Sequence, residues 1–269
     1  MGKPKHSFLT LWQRCTRSQA KGVAWGLFFM LLILAWVGLY MMAPTLDGGA
    51  RFGALDRLYP WAGHGYFSWP RAMGMWALMT LAMMLPTFIP TWATYMDLSA
   101  RARSPLSLRL IFGAGYLLVW LGFACLASAL QQGLFRLNLI DAAGVALRPG
   151  FTLALLTLAG LYQFSELKQA CVRSCQSPLS YFMSNWRDGP KGAAFMGVKH
   201  GLICLGCCWA LMLLAFVGGT MNLVWMGIAT LLMATEKLPK LGSYVGPALG
   251  YGLLGLALAF GLQLLINGA

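Results

Sequence analysis

Charge is scarce in this chain. Asp, Glu, Lys and Arg together make up 10% of its 269 residues, against about 25% in a soluble domain. That scarcity, with 59% hydrophobic residues, excludes an ordinary soluble enzyme. Phosphate loops, serine-nucleophile elbows and zinc-protease helices are missing too, and with them the chemistries those motifs carry. No basic stretch is interleaved with aromatics, so nucleic acid is not an expected partner. No repeat of fixed period is visible. The segments 43–70 and 132–150 lack cysteine and hold no disulfide.

What is present is a series of apolar runs near 20 residues long, the length that crosses a bilayer as a helix. They fall at 23–42, 71–95, 108–131, 151–168, 197–218, 221–236 and 244–266. The expected fold is all-α: a polytopic membrane helix bundle of about seven spans. A basic segment, 1–22, precedes a single membrane domain, 23–269. The segment is too basic, and the first apolar run too long, for a cleaved signal peptide. The sixth span is short and reads as the return arm of a tight hairpin through Gly218, Gly219 and Thr220. Asn222 reads as its cap.

The net charge of +13 is a topology signal. Lys3, Lys5, Arg14, Arg17, Lys21, Arg101, Arg103, Arg109, Lys168, Arg173, Arg187, Lys191, Lys199, Lys237 and Lys240 fall on one side of the seven-span arrangement. Only Arg51, Arg57, Arg71, Arg136 and Arg148 fall on the other. The positive-inside rule then predicts a cytoplasmic N-terminus and an external C-terminus. The expected location is the bacterial inner membrane, with the lipid bilayer as the first partner.

Three thiols and an imidazole occupy the run 197–219. At 100° per residue, His200, Cys204, Cys207 and Cys208 share one helix face roughly 100° wide. Thiolate and imidazole suit a soft metal ion or a thiol-exchange reaction. Packing alone, with Cys as a small apolar residue, is the alternative. The topology brings Cys171, Cys175 and Glu236 to the same cytoplasmic side, so all seven residues belong to one candidate cluster. Glu166 and Glu236 are candidate proton or charge partners, although Glu166 and Lys168 also suit snorkelling to the interface. Cys15 and Cys125 stand apart and read as inert.

Methionine is abundant, with sixteen residues. Met73, Met79, Met83 and Met84 form a candidate pathway on the second span, below Met41, Met42 and His64. Thioethers bind Cu(I) without deprotonation, but methionine also fills gaps in apolar cores. Pro86 and Pro90 suggest a broken or kinked inner end to that span.

Several local patterns carry a resemblance. Tyr162-Gln163 is followed by Leu167-Lys168, Cys171, Cys175 and Pro178. G-x3-G-x2-C-x-G-C-C-W then runs from Gly197 to Trp209, followed by Leu211-Met212, Gly219, Met221-Asn222, Trp225-Met226 and Glu236-Lys237. With the W-x5-A-M-M-x-P stretch from Trp76 to Pro86, this resembles the bacterial domain of unknown function 2182 family over about 70–242. Its members are described as predicted metal-binding integral membrane proteins. The resemblance implies metal ligation by Cys171, Cys175, Cys204, Cys207 and Cys208, and no established reaction. Gln176 departs from it, standing where Arg is expected.

Three functions remain open. One is soft-metal binding, with Cu(I) first and zinc as the other ion, coupled to transport or delivery and to a metal chaperone or membrane complex as partner. Another is a membrane thiol-disulfide oxidoreductase using Cys204 and Cys207, with Cys171 and Cys175 as shuttle. Its weakness is that the thiols face the cytoplasm while the external loops are thiol-free. The third is a non-catalytic assembly subunit with a structural metal.

Overall fold

The computed structural model describes residues 8–42, 69–101, 105–141, 143–220 and 222–266, with side chains of the first helix described from 22 onward. The segment 43–68, with His64, lies outside them. Among the described residues the protein is all helical, without a named strand. The helices are α1 (Phe8–Met42), α2 (Trp69–Arg101), α3 (Leu106–Arg136), α4 (Pro149–Tyr162), α5 (Glu166–Gln176), α6 (Pro178–Asn185), α7 (Gly189–Leu213), α8 (Ala215–Gly218), α9 (Leu223–Glu236) and α10 (Gly242–Ile266).

Five helical stretches are long and apolar enough to cross a membrane: Gly22–Met42, Trp69–Ala100, Leu106–Arg136, Gly189–Gly218 and Gly242–Ile266. α4 and α9 have 14 residues each, or about 21 Å, which is less than a hydrocarbon core of about 30 Å. The expected fourth span, 151–168, is shorter than its sequence pattern suggests. α4 ends at Tyr162, and Ser165 starts α5 by accepting the Lys168 backbone N–H at 3.2 Å. A serine cap followed by an acidic first turn is a start signal that apolar content does not register. Asn222 caps α9 as expected, accepting from the Trp225 N–H at 3.1 Å.

The centre of the bundle is the pairing of α3 with α7. A Cβ at Gly115 would sit 2.7 Å from the Ala194 carbonyl oxygen. One at Gly197 would collide with the Phe112 carbonyl oxygen, and one at Gly201 would meet Val119. The G-x3-G of the sequence motif is therefore a small-residue seam that lets two backbones touch. Contacts advance along both helices together, so α3 and α7 are parallel and the chain must return between them. It does so in three pieces. α4 descends to the level of Gly206, whose carbonyl accepts the Tyr162 hydroxyl. α5 and α6 complete the path, and the Tyr181 hydroxyl reaches the Met196 carbonyl at 2.7 Å.

α2 lies antiparallel to α3, fixed by the Trp76 indole donating to Gln131 Oε1 at 2.6 Å and by the Tyr116 hydroxyl donating to the Met84 carbonyl at 3.2 Å. It is one helix through both Pro86 and Pro90, so of the broken or kinked inner end expected there the break is absent. The break lies instead between α4 and α5. α10 runs antiparallel to α4, with Gly160 against Leu254 and Gly250 against Phe164.

Candidate metal centre

The α3–α7 seam fixes the rotation of α7, and that rotation turns its thiols inward. Cys204, Cys207 and Cys208 are 1–2% exposed. Their sulfurs all lie within 4.8 Å of one another. Cys207 Sγ is 3.2 Å from Cys208 Sγ and 3.1 Å from the Cys204 carbonyl oxygen. Neighbouring cysteines at 207 and 208 converge with 204 because 207 and 208 flank the 204 direction on the helix wheel.

Cys204 has two polar neighbours from other helices. The Tyr116 hydroxyl of α3 lies 3.2 Å from its sulfur. Lys237, which caps the end of α9, donates from Nζ to the same sulfur at 3.0 Å and to Thr87 Oγ1 of α2 at 2.8 Å. Three helices, α3, α7 and α9, therefore meet at one sulfur, and α2 holds the same lysine through Thr87. Buried charge explains the arrangement. Lys168 and Glu236 neutralise each other, with Nζ 3.0 Å from both carboxylate oxygens. That leaves the Lys237 ammonium facing the thiols as its counter-group.

α5 supplies the second pair of thiols. Cys175 is buried and borders Cys204 and Cys207. Cys171, one turn earlier, is half-buried and lies against α7 at Gly206, where a Cβ would come within 2.7 Å of its sulfur. α5 is tied to the end of α9 by the Lys168–Glu236 pair and by Gln176 Nε2 donating to the Glu236 carbonyl at 2.9 Å. The residue that departs from the family resemblance thus holds a structural contact here. The six described cysteines are all free thiols; they step inward from Cys171 through Cys175 to the trio, apart from Cys125 on α3.

The other expected residues are placed as follows. His200 is buried one turn before Cys204, among the rings of Phe88, Tyr116 and Tyr181 at centroid separations of 5.8, 5.9 and 5.1 Å. Its Nδ1 meets no hydrogen-bond partner, and the group of mutually close ligand atoms holds the three cysteines without it. Glu236 pairs with Lys168, whereas Glu166 is exposed on α5. Lys168 is buried rather than snorkelling. Met73 Sδ lies 3.7 Å from Ser128 Oγ, which donates to the Cys125 carbonyl at 2.8 Å, and Met84 Sδ lies 3.9 Å from Thr87 Oγ1, which donates to the Met84 carbonyl at 2.9 Å. Lys237, Tyr116 and Thr87 were not evident as site residues. A lysine after an apolar helix reads as a topology charge, and a Tyr or Thr inside a span carries no motif.

Three thiols within reach of a single ion, closed from water, offer the soft donor set that selects Cu(I) or a similar ion. The family model described as PpoB2, copper chaperone, matches residues 73–260. The chain belongs to this copper chaperone family. The matched stretch contains every residue of the centre, from Thr87 to Lys237. No curated protein and no solved structure matches the chain. Family membership and the thiol cluster together fit copper binding, and the apolar helices fit a membrane protein.

Proposed function

We propose that this protein is a copper chaperone of the bacterial inner membrane that holds Cu(I) on Cys204, Cys207 and Cys208 and delivers it through Cys175 and Cys171. The observation that carries the reading is the buried trio, whose sulfurs all lie within 4.8 Å of one another. Cu(I) on two thiolates, with the third cysteine staying a neutral thiol, is an anionic unit, and the Lys237 ammonium at 3.0 Å from Cys204 makes the assembly neutral. A neutral assembly is the form a low-dielectric interior accepts at least cost. Zinc, which favours a closed tetrahedral shell, suits three clustered thiols less well.

Delivery follows from the graded burial of the thiols. Cys175 borders the trio, and Cys171 is only half-buried. The ion moves by exchange of one thiolate for the next, each arriving ligand giving up the proton that the departing one takes; no electron is transferred. The acceptor is a thiol-bearing protein on the side that the charge distribution makes cytoplasmic. The two short helices, α4 and α9, serve as the fourth and sixth crossings, α4 with the help of α5 and α6. Thiol-disulfide exchange with a protein partner is disfavoured because the C-x2-C pair, Cys204 and Cys207, is buried.

The test is Cu(I) transfer from purified, loaded protein to a bicinchoninate acceptor. Cys171→Ser should load with the wild-type amount of copper and release it at least tenfold more slowly. Equal release rates would remove Cys171 from the path. Full copper retention by the Cys204/Cys207/Cys208→Ser triple variant would remove the trio.

A further inference from the structure

One small cavity lies away from the thiols. It has a volume of about 10 Å³ and lies between α2, α7, α8 and α9. Four of the protein's methionines line it: Met79 and Met83 from α2, Met212 from α7 and Met226 from α9. All four are at most 3% exposed. Trp225 and three aliphatic side chains complete the wall. The volume matches a single water-sized occupant, yet a buried water needs two to four polar partners. The lining side chains offer none, because the Trp225 indole N–H is already donated to the Leu214 carbonyl at 3.1 Å. The donors that line it are thioethers, which are neutral, soft and selective for Cu(I).

The position of the cavity gives this meaning. On α7, Met212 follows Cys208 by one turn, about 6 Å along the axis. On α2, Met79, Met83 and Thr87 recur every four residues on one stripe, and Thr87 is the residue that holds Lys237. On α9, Met226 and Lys237 stand at opposite ends. One seam between three helices thus leads from the thioether cavity to the thiols and their lysine. The other methionines of the candidate pathway, Met73 and Met84, do not line the cavity.

We infer that Met79, Met83, Met212 and Met226 form a second soft-cation station, a thioether site for one Cu(I) ion on the side of the thiol trio away from Cys171. It rests on the reading of Cu(I) as cargo and adds where the ion stands before the thiols take it. Neutral thioethers leave the bound ion with its full positive charge, whereas the trio compensates that charge. The ion therefore passes from thioethers to thiolates and accumulates on the latter. Trp225, in the cavity wall, is the aromatic residue type that attracts cations most strongly.

The experiment is Cu(I) titration of the purified full-length protein against bicinchoninate, with copper per chain as the readout. The wild type should bind two ions. Replacing Met79, Met83, Met212 and Met226 by Leu conserves volume and should leave one ion, held by the thiols. The Met79→Leu/Met212→Leu pair guards against misfolding of the fourfold variant and should weaken the same ion at least tenfold. The Cys204/Cys207/Cys208→Ser variant should also keep one ion. Its binding should be the same at pH 7 and pH 5, because a thioether has no proton to lose. If the Leu variants bind as many ions as tightly as wild type, or the folded triple-serine variant binds none, the station is wrong. If the triple-serine variant keeps both ions, the thiol reading fails instead.

Discussion

Replacing Lys237 with Met keeps the length of the side chain and removes its charge, which isolates the electrostatic part of copper retention. The ammonium lies 3.0 Å from Cys204 Sγ. At an effective dielectric constant near 20, two unit charges at that separation attract by about 5.5 kcal/mol. Much of this is offset, because the variant no longer buries an ammonium, which costs several kcal/mol. The remainder should resemble the net value of a hydrogen bond to a charged group, about 1.5–3 kcal/mol. That corresponds to a rise of about 10- to 150-fold in the Kd for Cu(I). Competition against bicinchoninate at fixed pH reads this directly. Lys237→Arg, which keeps the charge but not the compact point contact, should fall between. Unchanged or tighter Cu(I) binding by Lys237→Met would refute the argument: the lysine would then compete with the ion rather than compensate its ligands.

Gly197→Ala drives a methyl group into the Phe112 carbonyl and should cost about 1–3 kcal/mol, seen as a lower melting temperature; Gly26→Ala, where nothing lies within 4 Å, should change little. Lys168→Met strands Glu236 and should cost about 3–5 kcal/mol, while the Lys168→Met/Glu236→Leu double variant should recover most of it in the same thermal assay. Reporter fusions at Asp188 and Ala269 should place the first in the cytoplasm and the second outside; an external signal at Asp188 would overturn the proposed topology.

The helical class and the thiol stripe were legible because both rest on local periodicity. Long apolar runs mark spans, and 204, 207 and 208 fall together on any α-helix. What a helix wheel carries is angle, and it says nothing about height. His200 shares the angular face, but it sits a full turn from Cys204, in a layer of aromatic rings from α2, α3 and α6. The break at Ser165 was hidden because the apolar pattern runs on to Tyr162 and the cap signal is only two residues long. Lys237 was hidden for a different reason. Its role depends on three helices distant in sequence, with Thr87 lying 150 residues away, and no local pattern encodes that meeting. The methionines show the same limit. Composition marked helix α2 as rich in thioethers, but only tertiary structure separates Met79 and Met83, which line a cavity with Met212 and Met226, from Met73 and Met84.

The measurement that bears most directly on the central claim is copper X-ray absorption on the Cu(I)-loaded protein, wild type beside the Cys204/Cys207/Cys208→Ser variant. The account predicts a first shell of sulfur alone in the wild type, with the short copper–thiolate distances lost in the variant. A shell of nitrogen or oxygen in the wild type, or a spectrum that the three substitutions leave unchanged, would contradict it.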